Sequence, residues 1–274
     1  MTGGTARADL ARFSFNQATA KHWPLADVVA GCVEAGVPGI GLWREPVQEY
    51  GLAQAAKLVR DAGLTVTSLC RGGFFTSPGW REENRRAIEE AATLGTTELV
   101  LVSGGLPEGS RDIDGARRMV ADAIADLAPE AAAAGVRLAI EPLHPMFCSD
   151  RCVVATLGQA LDVAERFDPG TVGVVVDTYH VWWDDTVHQQ IARARDRIAA
   201  FQVADWITPL PEGVLLGRGL PGDGCVDMRR FRQSVDAAGY TGPIEVEVFN
   251  AEVWARPGRV VLDAAVAGYL RHVV

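Results

Sequence analysis

The sequence predicts a single-domain, eight-stranded α/β barrel of the (β/α)8, or TIM-barrel, class. Three observations carry this. The chain has 274 residues, close to the usual length of one such barrel. Eight short apolar runs alternate with amphipathic stretches. A glycine closes five of those stretches just before the next apolar run.

The apolar runs begin near Phe13, Gly39, Val66, Glu98, Arg137, Val172, Ile198 and Pro243. Arg137-Leu-Ala-Ile140 and Val172-Gly-Val-Val-Val176 are almost wholly apolar, as parallel strands covered on both faces require. Between the runs, Asp27 to Ala35 places Val28, Val29, Cys32 and Val33 on one helical face. Leu52 to Ala62 and Asp112 to Ala134 have the same period. Gly36, Gly63, Gly95, Gly135 and Gly239 each follow such a stretch, where a left-handed residue closes a helix. Ser77-Pro78 reads as a helix start, with a capping hydroxyl before a proline at the first helical position. A doubly wound open sheet would usually show a Gly-rich turn after its first strand, and here the first run continues into Asn16-Gln17. No linker divides the chain, so residues 1–11 read as a poorly ordered polar lead-in and 12–274 as the barrel.

Composition narrows the partners. Apolar residues are 48% and charged residues 22%, with a net charge of −9. That balance argues against nucleic acid and against an anionic membrane surface. No apolar run reaches the roughly 18 residues of a membrane span, and the N-terminus lacks a signal-peptide core, which leads to a cytoplasmic expectation. The five cysteines have irregular spacing and read as free thiols.

The polar residues at the ends of the late runs carry the chemistry. The fifth run ends in Ile-Glu141-Pro-Leu-His144-Pro and the sixth in Asp177-Thr-Tyr-His180-Val-Trp182-Trp183. The seventh holds Gln202-Val-Ala-Asp205, and the eighth Glu245-Val-Glu247. In a barrel these ends converge at one mouth, the catalytic face of the fold. Carboxylates gathered there repel one another unless a cation neutralises them, and oxygen ligands suit magnesium or manganese.

Taken with the loop Gly217-Arg218-Gly-Leu-Pro-Gly222-Asp223-Gly224 and the late Gly242-Pro-Ile-Glu-Val-Glu247, these motifs resemble the xylose-isomerase-like barrels known as sugar phosphate isomerases/epimerases. The resemblance implies a divalent metal held by Glu141, Asp177, Gln202 and Glu247, with Glu141 and Glu247 as the acid/base pair. Many relatives carry His where this chain has Gln202. A neutral amide oxygen favours manganese, with magnesium or cobalt as alternatives, over zinc. Glu245 points the same way as Glu247 and competes for its place, and Gln202 could instead be a buried amide bonded to backbone.

Around that centre His144 and His180 read as substrate contacts, with a loop-fixing or second-layer role as the alternative. Arg218, in a loop read as mobile, could hold an oxyanion, and Asp205 orients a ligand or a loop. Trp43, Phe74, Trp182 and Trp183 could stack on a sugar or simply pack. The implied reaction is isomerisation or epimerisation of a ketose or keto-sugar through an enediolate. The alternative is a lyase acting on a keto-cyclitol of the inosose type or a 3-keto-glycoside. A noncatalytic sugar-binding barrel is more remote. A DNA phosphodiesterase of the endonuclease IV type is excluded by the acidic charge and the scarcity of His. The substrate reads as unphosphorylated. Barrels of this kind often pair, which admits a homo-oligomer.

Overall fold

The computed structural model describes residues 9–211 and 213–274. Residues 1–8 of the lead-in lie outside them. Within the described part Leu10 is already buried in the core.

Eight parallel strands close into a barrel: β1 (Phe13–Asn16), β2 (Gly39–Trp43), β3 (Thr65–Gly73), β4 (Glu98–Val102), β5 (Arg137–Glu141), β6 (Val172–Asp177), β7 (Ile198–Val203) and β8 (Ile244–Val246). Neighbours in sequence are neighbours in space, and β1 closes the ring against β8 through the pairs Phe13–Ile244, Ser14–Glu245 and Phe15–Val246. Every run predicted from the sequence forms one of these strands.

The helices pack outside, as the 3.6-residue period requires. Leu25–Ala35 buries Val28, Val29 and Cys32, but Val33 is 49% exposed, because the stripe it was read into is narrower than four residues. Gly36, Gly63, Gly95, Gly135 and Gly239 all adopt positive φ where the helices close. The Ser77-Pro78 start signal falls short. Ser77 N–H bonds to the Phe74 carbonyl in a turn, and the helix Trp80–Leu94 begins after Gly79 with no side-chain cap.

Two kinds of interior result. The large apolar core lies between strands and helices and includes Phe13, Phe15, Leu42, Leu99, Leu138 and Phe201. Inside the ring only small apolar residues meet, namely Cys70, Val100, Ala139, Val175, Ala199 and Ala200, with Trp43 against them. Their small volume leaves room for polar groups, and Ser14, Asn16, Ser68, Gln202 and Glu245 are all buried. The register places these groups side by side. Asp177 pairs with Gln202 across β6–β7, and Gln202 with Glu245 across β7–β8.

Candidate metal and catalytic site

At the C-terminal mouth, a cavity of about 300 Å³ is lined by Glu141, His180, Arg218 and Glu247, among others. Asp177 lies beside them and is fully buried. Glu141, Asp177 and His180 each offer a ligand atom, and these atoms lie within 4.8 Å of one another.

Arg218 organises the carboxylates. Its Nη1 donates to Asp177 Oδ2 at 2.9 Å and to Glu247 Oε2 at 3.0 Å. Its guanidinium also lies over the Tyr179 and Phe249 rings, at 5.0 and 4.9 Å. The residue is only 3% exposed. It was expected on a mobile rim. It is instead pinned: Arg218–Gly219 pairs antiparallel with Asp205–Trp206, and the Arg218 carbonyl accepts from Asn250 Nδ2 at 2.9 Å. Asp205 holds that excursion by accepting from the backbone N–H groups of Trp206, Gly222 and Val226. Of the two roles considered for it, this is the orientation of a loop.

Glu245 and Glu247 separate by their partners. Glu245 accepts from Asn16, Thr67, Ser68 and Gln202, so both its oxygens are engaged. Glu247 faces the cavity, its Oε1 accepting from Asn16 Nδ2 at 3.0 Å and Trp43 Nε1 at 3.3 Å. Gln202 donates its Nε2 to Glu245 at 2.9 Å, a side-chain partner and not the backbone. Its buried Oε1 has no partner, and neither has Glu141 Oε1. Two buried acceptors without hydrogen-bond partners beside a carboxylate cluster are suited to serve as cation ligands. The donor set therefore fits a hard divalent ion.

Burial pushes the Glu141 carboxyl well above its usual range, and the Asp177 and Glu247 charges add to that. Burial also raises Asp177, against the pull of Arg218. Glu247 is raised to about 7 by burial, opposed by Arg218 and reinforced by Asp177 and Glu245. His180 is depressed well below the ordinary histidine range, by burial first and then by Arg218, so its ring is neutral. Its Nδ1 accepts the His144 backbone N–H at 3.2 Å, which leaves the proton on Nε2. That Nε2 is 3.0 Å from Arg218 Nη2.

The remaining predicted residues divide. Trp43 lines the cavity, as does Phe249, which was not predicted, whereas His144, Phe74, Trp182 and Trp183 lie outside its lining. The His144 ring packs between Trp183 and Trp206, at centroid distances of 5.5 and 5.0 Å. Trp182 packs against Trp206 at 5.5 Å. Trp183 donates its indole N–H to the His180 carbonyl. Asn16, Cys70, Arg71 and Arg151 were not singled out in the sequence. Asn16 could have been found as the polar end of the first strand, and Arg71 as a cation interrupting the third; Arg151 has no sequence signal.

Residues 29–267 match the family model described as xylose isomerase-like TIM barrel. The chain belongs to that family. Among proteins of solved structure, one from Sinorhizobium meliloti 1021 is 46% identical, with a TM-score of 0.93 over 96% of this chain and 98% of that one. A 3-dehydroshikimate dehydratase of Pseudomonas aeruginosa is 29% identical over 86% of this chain; the chain spans only 38% of that enzyme's length. An inosose isomerase of Bacillus velezensis is 25% identical over 77% of this chain and 76% of its own. The curated relatives thus include a dehydratase as well as an isomerase. Among the described residues no helix is long and apolar enough to cross a membrane.

Proposed function

We propose that this protein is a divalent-metal-dependent isomerase or epimerase of a keto-sugar or related keto-polyol, working by proton transfer beside a carbonyl. The observation that carries the reading is the pair of unpartnered acceptors, Glu141 Oε1 and Gln202 Oε1, buried next to Asp177 and Glu247. Glu141, Asp177, Gln202 and Glu247 would hold the ion, and their all-oxygen donor set favours manganese. A divalent ion there supplies a Lewis acid that acidifies a carbon-bound proton beside a carbonyl.

The chain's own groups do the rest. Glu247 would take or return the proton, with Asn16 and Trp43 fixing its Oε1. Glu141 serves as the partner acid/base from a strand that is not adjacent. Arg218 and His180 both line the cavity and would contact a substrate oxygen there. The apolar lining from Leu143, Leu215 and Phe249 limits water at the reacting carbon.

The test is metal content, followed by solvent deuterium incorporation into a panel of ketoses and keto-cyclitols, with Glu141→Gln and Glu247→Gln alongside. The reading expects about one manganese per chain and carbon-bound deuterium that both variants abolish; full exchange in either variant refutes it. Similarity to a dehydratase supports a second reading, in which the same proton removal is followed by loss of water. Release of an unsaturated product instead of a stereoisomer would select it.

A further inference from the structure

The cavity has acidic groups on its floor and cations on its wall. Arg71, at the end of β3, and Arg151, in the turn after β5, both line it. Neither is paired with a carboxylate among the described residues, in contrast to Arg218 on the floor. Arg151 Nε is buried and has no hydrogen-bond partner. The half-buried Arg71 is backed by aromatic faces, its guanidinium 4.3 Å from the centre of the Phe74 ring and 5.9 Å from Trp43. Stacking of that kind fixes the plane of the guanidinium and leaves its N–H edge for a ligand. Burial depresses Arg71 below the ordinary range and Arg151 adds to this, while Glu45 opposes it from an exposed position.

Charge accounting separates floor from wall. Glu141, Asp177 and Glu247 are balanced by Arg218 together with a divalent ion. Arg71 and Arg151 then remain on the partly buried wall with no ion-pair partner among the described residues, an arrangement that an anionic ligand would satisfy. A neutral sugar would not. We propose that the substrate carries an oxyanionic group, a carboxylate or a phosphate, which Arg71 and Arg151 receive while the keto-polyol end faces Glu141 and Glu247. The orientation and the charge count rest on the metal and enolisation reading above; the lack of ion-pair partners for Arg71 and Arg151 among the described residues does not.

A matched set of probes tests this: glucose, glucuronate and glucose 6-phosphate, which share a ring and differ in the terminal group. Their binding to the whole protein is measured by calorimetry, both with manganese and after metal removal. We expect one of the two anions to bind about tenfold or more tighter than glucose, as charge-assisted guanidinium pairing implies. Which anion it is identifies the group. The preference should fall in Arg71→Gln and Arg151→Gln, recover in part in the Lys variants, and vanish in the double Gln variant, with manganese affinity and circular dichroism unchanged. Equal binding of all three probes, absence of binding by all three, or a preference that survives in the double variant overturns the proposal. Because the metal-free arm reads the wall alone, failure of the metal reading would appear as absent manganese with the anion preference intact.

Discussion

Gln202 spends its amide N–H on Glu245 at 2.9 Å and keeps its carbonyl oxygen unpartnered. An amide has two ends of similar shape, and Glu245 decides which end faces the carboxylates. Asn16, Thr67 and Ser68 hold Glu245 in turn, so the orientation of one side chain rests on a network that crosses the lumen.

Glu245→Ala should therefore cost about 3–5 kcal/mol of stability, because it strands several buried donors at once. The effect on metal should be distinct. With the amide free to turn, manganese affinity should fall even where the fold is retained, as measured by electron paramagnetic resonance titration. Gln202→His should shift the bound metal from manganese toward zinc when both are offered equally, as measured by elemental analysis.

The pH dependence of the metal-free protein follows from Glu247. Its folded-state value of about 7 lies above the ordinary carboxylate value, so folding favours the protonated form. That contribution is complete below about pH 4 and is lost as pH rises through about 7. Glu141 and Asp177, also raised, act in the same direction. Thermal unfolding of the metal-free protein between about pH 5 and 8.5 should show a falling midpoint. Added manganese, which needs the deprotonated ligands, should raise the midpoint most at the alkaline end.

Arg218→Met removes the cation from between Asp177 and Glu247. The loss should reach about 3–5 kcal/mol near pH 8, where the carboxylates are left charged and buried. It should shrink near pH 5, where protonation relieves them. Denaturant unfolding at the two pH values gives the comparison; an equal loss at both would mean that Arg218 acts by packing on Tyr179 and Phe249 and not by charge.

Gly41 tests the closeness of the lumen. A Cβ there would stand 2.6 Å from the Glu245 carboxyl carbon and 2.7 Å from Asn16 Nδ2. Gly41→Ala should destabilise by about 1–3 kcal/mol and weaken manganese binding through the displaced network, although residue 41 is no ligand. Calorimetric melting with a parallel metal titration measures both.

The sequence displayed the barrel because each strand is a self-contained apolar run and five of the helical stretches close on a glycine, signals that do not depend on distant residues. Strand-end positions made Glu141, Asp177 and Glu247 conspicuous for the same reason. What stayed hidden depends on convergence across the ring. Glu245 and Glu247 have identical local signals, and they are distinguished by the donors from β3 and β7 on Glu245 and by Trp43 and Arg218 on Glu247. Arg218 sits among glycines and read as mobile, yet Asp205 and Asn250 fasten its strand from either side. His144 read as a substrate contact by its place beside a motif; its backbone N–H fixes His180 while its ring turns toward Trp183 and Trp206.

The Arg218 clamp also bears on the order of events in the life of the chain. A nascent polypeptide carrying this many acids to one buried point would ordinarily have to wait for an ion before it could finish folding. Here one counter-ion belongs to the chain itself, on an excursion that follows the seventh strand in sequence. With Arg218 already paired to Asp177 and Glu247, the metal-free chain should be obtainable as a folded barrel that takes up manganese afterwards.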